Sequence, residues 1–152
     1  MISETLDPRC VVLQLNGPRR REVIEELVKS VDALGKIGDA DRLIKEILER
    51  ERLASTALGN GVAVPHKLSE EVSETVLAVG RVPQGAKFDA PDNEPVRLVF
   101  LLIGPPNAQT AHLRLLSRLS RYLHDPAFRS RLLEASSQKE VVEVFAEREG
   151  HQ

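Results

Sequence analysis

The sequence "VRLVFLLIG", Val96 to Gly104, is the longest apolar run of the chain and stands between Pro95 and Pro105. It is far too short to span a membrane. Because its residues do not alternate between polar and apolar, the run predicts a strand that is buried on both faces. Such a strand lies at the centre of a sheet and needs helices on either side.

Three shorter segments with strand character precede this run. They are "CVVLQL" at Cys10 to Leu15, "GVAVPH" at 61–66 and "ETVLAVGRV" at Glu74 to Val82. The second is expected to end at Pro65, because proline has no N–H to donate to a neighbouring strand. The segment "PQGAKFDAPDNEP", 83–95, is rich in turn-forming residues and predicts a loop.

Helical spacing of apolar residues marks the rest of the chain. The leucines of one segment, "AQTAHLRLLSRLSRYL", predict a core stripe of Leu113, Leu116, Leu119 and Leu123. Five helices are expected in all, starting near Pro18, near Asp39, at 108, at Asp125 and at Ser137. Together these segments predict an α/β fold: a single layered domain, 1–152, with a small mixed β-sheet of about five strands flanked by helices.

The composition of the chain argues against several classes of function. The chain has 152 residues, a net charge of -2 and 3% aromatic residues, so we expect no nucleic-acid partner. Cys10 is the single cysteine and the start of the chain has no apolar signal segment, which predicts a cytoplasmic protein that is neither exported nor membrane-inserted. The basic cluster "PRRRE", 18–22, is either a solvated helical turn with Arg21 paired to Glu25, or a docking site for an acidic partner.

The chain lacks the sequence motifs of several common catalytic and ligand-binding sites. The chain contains no GxSxG nucleophile turn and no P-loop, and "GNGVAV" lacks the third glycine of a dinucleotide site. The four histidines His66, His112, His124 and His151 form no closely spaced metal-binding pair. We therefore expect no metal and no cofactor.

His66 follows the stretch "ALGNGVAVP" and has a chemistry of its own. A neutral imidazole is nucleophilic and can carry a phosphoryl group covalently. Gly59 and Gly61 would let backbone N–H groups approach a phosphate, and Pro65 would stiffen the chain before the histidine. The alternative is a plain turn into a strand with His66 exposed at its end.

Three blocks in register, "RERLASTALGNGVAVPH", "FDAPDNEPVRLVFLLIGP" and "AHLRLLSRLSRYL", resemble the type 2 enzyme IIA domain of the bacterial phosphotransferase system. This fructose- and mannitol-type family includes nitrogen-regulatory proteins. The resemblance implies that His66 takes a phosphoryl group from a histidine phosphocarrier protein and, in sugar-transporting members, passes it to an enzyme IIB domain; regulatory members act on target proteins. It also implies that Arg50 and His112 surround the phosphohistidine. Small polar residues near the motif, Ser55, Thr56 and Asn60, would hydrogen-bond the phosphate or hold its loop, and Gly61 would support the loop.

The chain departs from the family pattern where Lys67 replaces the glycine that commonly follows the histidine, and where "ALG" replaces "GIG". Without a IIB or membrane domain in the sequence, a free-standing nitrogen-regulatory type is expected ahead of a sugar-transport subunit. Two further hypotheses stay open: a binding module that is never phosphorylated, and a metal-dependent hydrolase built on His66 and His112. Taken alone, Arg50 and His112 would be read as a solvated and a structural side chain.

Overall fold

The computed structural model describes residues 1–150; His151, which the sequence leads us to expect in a frayed tail, lies outside them. Within this range six strands form one mixed sheet in the order β1-β5-β6-β3-β2, and β4 also pairs with β6. The strands are β1 Val11–Val12, β2 Ala57–Gly59, β3 Val62–Ala63, β4 His66–Leu68, β5 Val76–Ala86 and β6 Val96–Gly104. Three of the strand pairs are parallel: β1–β5, β3–β6 and β4–β6. Two are antiparallel: β5–β6 and β2–β3.

The strand β6 is central and buried on both faces, as its sequence predicts. Its side chains alternate between two cores: Val99, Leu101 and Ile103 face one, and Leu98, Phe100 and Leu102 face the other. Each of these side chains is at most 2% exposed. Burial on both faces explains why the run needs no polar alternation.

Helices cover both faces of the sheet. The helices α2 Arg20–Asp32 and α3 Ala40–Leu53 cover the first face, and α4 Gln109–Leu123, α5 Pro126–Glu134 and α6 Gln138–Gly150 cover the second, joined by the short α1 Ile2–Thr5. The helices α3 and α5 start where the sequence predicts, and the side chains of Asp39 and Asp125 cap them. The predicted α/β fold with a mixed sheet flanked by helices is therefore confirmed. None of the helices within residues 1–150 combines the length and apolar character needed to cross a bilayer.

Several boundaries differ from the sequence predictions. The first strand is cut to Val11–Val12: a 3-10 turn at Pro8–Cys10, capped by Asp7, takes up Cys10, and residues 13–15 lie beyond the ladder pairing with β5. The strand β5 runs on to Ala86, into the predicted loop, because Ala86 pairs with Val96 across a register shift.

The predicted core stripe of α4 is also corrected. Leu113 is 57% exposed, whereas His112 is 4% exposed. The buried face runs through His112, Leu119, Tyr122 and Leu123, so the helix is rotated from the orientation that Leu113 would require. This rotation brings a histidine to the sheet where a leucine was expected.

Candidate functional site

His66 opens β4, an edge strand, whereas the sequence predicts it at the end of one. Pro65 interrupts the chain between β3 and β4, and pairing with β6 resumes at His66, which lies opposite Leu102. Among the described residues β4 pairs with β6 alone, so its other edge is open. The side chain of His66 is half-buried. An imidazole in this position is anchored by the sheet yet accessible from outside.

One nitrogen of His66 is held by the backbone. Its Nδ1 lies 2.8 Å from the carbonyl oxygen of Val64. A carbonyl oxygen only accepts hydrogen bonds, so Nδ1 carries the proton in this contact. In the neutral ring Nε2 then has the free lone pair and is the nucleophilic atom.

His112 lies beside His66. The two ring centroids are 5.8 Å apart and the rings are tilted by 49°. The chain reaches this position by turning from the end of β6 through a 3-10 turn at Pro106–Ala108 into α4. Gly104 makes room for the ring, because a Cβ at that position would lie 3.1 Å from Nδ1 of His112.

The environment of His112 favours its neutral form. Burial lowers the pKa of His112, and the neighbouring His66 lowers it further. Its Nδ1 is buried and has no hydrogen-bond partner among the residues of the described chain. A neutral imidazole next to His66 leaves that ring free to become positively charged without repulsion.

Arg50 belongs to the last turn of α3, a helix that packs against β4. Its Nη1 donates a 3.1 Å hydrogen bond to the carbonyl oxygen of Ala54. No carboxylate of residues 1–150 forms an ion pair with its guanidinium. Arg50 is therefore a half-buried cation whose charge is not neutralised by an acidic side chain.

Lys67 follows His66 in β4 and pairs with Ile103, whose side chain faces the α2–α3 core. Since successive side chains of a strand point to opposite faces, Lys67 points away from the face that His66 and Leu102 share.

The hydroxyl groups of Ser55 and Thr56 are engaged within the protein. Ser55 donates to the carbonyl oxygen of Phe88, and Thr56 donates through both its N–H and its Oγ1 to the carboxylate of Glu51. The carbonyl oxygen of Thr56 accepts from the N–H of Val64 at 3.0 Å. Both residues thus support the segment that leads to His66.

Asn60 and Gly61 lie elsewhere. They form the turn between β2 and β3, where Gly59, Asn60 and Gly61 all have positive φ, and the N–H of Asn60 donates to Asp92 at 2.9 Å. On β6, Val62 pairs with Leu98 and His66 with Leu102, four residues further on. That spacing is about 13 Å along the strand. The structure therefore places this turn at the far end of β3 from His66, where its glycines serve the turn.

The basic cluster is neutralised by acidic neighbours. Arg21 pairs with Glu25 at 3.0 Å, as the sequence predicts, and Arg19 pairs with Glu22. Arg20 lies 3.5 Å from both Glu51 and Asp89. Of the two interpretations, the paired helical turn fits these contacts.

Sequence reasoning missed two residues at this site, Glu51 and Gly104. Glu51 is 2% exposed although it stands in the charged segment "RERLAST". Its burial could be read only from the helical period of α3, on which Leu43, Ile47 and Glu51 are four residues apart. No group of three or more His, Cys, Asp or Glu side chains within residues 1–150 is arranged to hold a metal ion.

Residues 4–148 match the family model described as "Phosphoenolpyruvate-dependent sugar phosphotransferase system, EIIA 2". The fructose-specific EIIABC component of Bacillus subtilis is 33% identical over 144 residues, which are 95% of this chain and 23% of that protein. The chain thus spans about a quarter of that relative. The fructose-specific EIIA component of Haloferax volcanii is 35% identical and is covered to 94%, as is this chain.

Among solved structures, the nitrogen regulatory protein IIA-Ntr from Neisseria meningitidis superposes with a TM-score of 0.87 at 32% identity, over 94% of this chain and 97% of that one. The family model covers nearly the whole chain, and the relatives agree with it in sequence and in fold. The chain belongs to the EIIA 2 family of the phosphoenolpyruvate-dependent sugar phosphotransferase system.

Proposed function

We propose that the protein is a phosphoryl carrier or regulator that accepts a phosphoryl group on Nε2 of His66 from a histidine phosphocarrier protein. The observation that supports this most is the 2.8 Å contact between Nδ1 of His66 and the Val64 carbonyl. It assigns the proton to Nδ1 and the lone pair to Nε2 before any partner arrives.

In the proposed step the Nε2 lone pair of His66 attacks the phosphorus atom of the donor's phosphohistidine. The donor's N–P bond breaks and its electron pair returns to the donor imidazole, so no proton needs to be lost. His66 becomes a phosphorylated ring that carries a positive charge with its proton still on Nδ1. The Val64 carbonyl stabilises that charge, because a hydrogen bond from a charged donor is stronger than one from a neutral donor.

In the proposed reaction two neighbouring side chains stabilise the phosphoryl group on His66. His112, kept neutral by burial, donates an N–H to a phosphoryl oxygen without repelling the charged His66 ring. Arg50 exchanges its bond to the Ala54 carbonyl for the phosphoryl oxygens, whose charge of about -2 attracts the guanidinium more strongly than a carbonyl does. Ser55 and Thr56 do not contact the phosphoryl group in this proposal; they hold the backbone of the segment that leads to His66.

The preferred role is that of a nitrogen-regulatory type of EIIA, supported by the fit to the Neisseria meningitidis protein. The second candidate is a sugar-transport EIIA that passes the phosphoryl group to a IIB protein. The similarity to the Haloferax volcanii fructose-specific EIIA component favours it. Transfer of label from the phosphorylated protein to a purified fructose-type IIB protein would support transport, and retention of the label would support regulation.

The test of phosphorylation is incubation with enzyme I, a histidine phosphocarrier protein and labelled phosphoenolpyruvate. We expect acid-labile label on the wild type, none on His66→Ala, and slowed labelling of Arg50→Ala and His112→Ala. His124→Ala is the matched control, since His124 is exposed at the end of α4 and should label at the wild-type rate. A wild type that takes no label from any phosphocarrier would support the unphosphorylated binding module.

A further inference from the structure

A buried carboxylate stands close to the site without touching the histidine pair. Glu51 is 2% exposed and lies in α3 directly after Arg50. Its Oε2 lies 3.3 Å from the backbone nitrogen of Thr56 and 3.5 Å from Nη1 of Arg20, and its Oε1 accepts from the Thr56 hydroxyl. Burying a carboxylate is costly unless every oxygen is satisfied, so this arrangement needs a reason beyond packing.

The contacts of Glu51 continue to His66. Thr56, which Glu51 holds by its N–H and its hydroxyl, accepts the N–H of Val64 on its carbonyl oxygen at 3.0 Å. The carbonyl of Val64 in turn accepts Nδ1–H of His66 at 2.8 Å. Two residues, Thr56 and Val64, thus connect the carboxylate to the imidazole. Thr56 is 8% exposed and Val64 3% exposed, so both residues are held by the surrounding core.

The position of the Val64 carbonyl depends in part on this connection; on its other side the Pro65 carbonyl accepts the N–H of Leu102 at 3.0 Å. Val64 lies between the end of β3 and Pro65, where no ladder pairing of β3 or β4 includes it. Its N–H is bound by Thr56, a residue just before β2, and Thr56 is bound by Glu51. Without the carboxylate, Thr56 loses both of its hydrogen bonds to α3, although Ala54 stays bound to Arg50. The carbonyl that sets the His66 tautomer then loses the support that reaches it through Thr56.

We propose that Glu51 is a positioning residue for His66: through Thr56 and Val64 it fixes the carbonyl that keeps the proton on Nδ1 and leaves Nε2 free for the phosphoryl group. This inference rests on the proposed function for its catalytic consequence. Arg20 offsets the negative charge of Glu51, which gives one member of the basic cluster a role inside the protein.

The tautomer of His66 is the direct readout, measured by ¹⁵N NMR on the unphosphorylated protein. In the wild type and in the control Glu49→Ala, an exposed carboxylate two residues earlier in α3, we expect the proton on Nδ1. In Glu51→Ala we expect a mixture with the Nε2–H tautomer. Glu51→Gln should keep the wild-type tautomer, because its amide oxygen can accept from the Thr56 N–H while the Thr56 hydroxyl turns to accept from the amide.

Phosphorylation by a labelled phosphocarrier protein is the second readout. The kcat of Glu51→Ala should fall at least in proportion to the lost Nδ1–H tautomer, and by about 100-fold where the His66 ring is also misplaced by about 1 Å. Its KM should stay near the wild-type value, because a buried side chain does not touch the partner. Glu51→Gln should restore most of kcat.

A Glu51→Ala protein with the wild-type tautomer and wild-type kcat would overturn the proposal. Should this variant not fold, Thr56→Val decides: a mixed His66 tautomer supports the proposal, and an unchanged tautomer with unchanged kcat overturns it. If the wild type accepts no phosphoryl group at all, the proposed function fails, whereas the NMR comparison still decides the role of Glu51.

Discussion

The substitution Gly104→Ala is expected to slow phosphorylation of His66, although the added methyl group does not contact His66. The added Cβ would lie 3.1 Å from Nδ1 of His112, 3.3 Å from Cδ2 of Leu68 and 3.6 Å from Oγ1 of Thr75. Gly104 pairs with Leu68 at the end of β6, so the strand is held in the sheet and the ring of His112 has to move. Relief of the closest contact requires a displacement of about 0.3 Å.

The expected magnitude follows from this displacement. If about 1 Å of misplacement costs about 100-fold in rate, about 0.3 Å costs roughly fourfold. Overpacking should also lower the free energy of unfolding by about 1–3 kcal/mol. The two quantities are measured by quenched-flow phosphorylation with a labelled phosphocarrier protein and by urea unfolding.

Two glycines serve as matched controls. Gly150→Ala, with no heavy atom within 4 Å of the new Cβ, should change neither quantity. Gly80→Ala, whose Cβ would lie 2.3 Å from Cδ1 of Leu15, should lower stability but keep the wild-type rate, because that contact belongs to the α2 side of the sheet. If Gly104→Ala lost stability like Gly80→Ala and still accepted phosphate at the wild-type rate, the position of His112 would not matter for transfer.

Three further predictions concern pH, the glycine turn and Lys67. Because the folded protein lowers the pKa of His112, the unfolded chain binds more protons, so unfolding free energy should fall as the pH drops below about 6.5. Urea titrations should show less of this loss in His112→Gln and the full loss in His124→Gln. Asp92→Ala should speed hydrogen exchange of the Asn60 amide and leave phosphorylation unchanged; a slowed reaction would place the turn at the site. Lys67→Gln should alter the phosphorylation rate less than about threefold, since Lys67 points to the opposite face from His66; a tenfold loss would contradict that orientation.

The sequence predicted those features that depend on local pattern. The apolar run 96–104 defined the central strand, and the helix starts expected near Asp39 and at Asp125 were correct. Leu113 was misassigned because α4 has more leucines than one stripe can bury, so the pattern alone leaves its rotation undetermined. Packing of His112 against Gly104 selects the rotation, and that contact is non-local.

At the candidate site, too, the sequence predicts what depends on local pattern and misses what depends on contacts between distant residues. Imidazole chemistry made His66 a candidate, but its assignment as the phosphorylated residue came from the resemblance, as did the expected roles of Arg50 and His112. The glycine turn was expected beside His66 because it is close in sequence, but β3 runs between them and carries the turn away. Thr56 lies near His66 because β2 and β3 form an antiparallel hairpin, which places Thr56 opposite Val64. The hydrogen bond between Thr56 and Glu51 becomes apparent only from this hairpin.

Phosphorylation of Nε2 of His66 can be observed by NMR of the ¹⁵N-histidine-labelled protein after reaction with enzyme I, a histidine phosphocarrier protein and phosphoenolpyruvate. We expect a single phosphoryl group, bonded to Nε2 of His66, with the Nδ1 proton still present. A phosphoryl group on Nδ1 of His66 or on His112, or a protein that stays unphosphorylated, would contradict it.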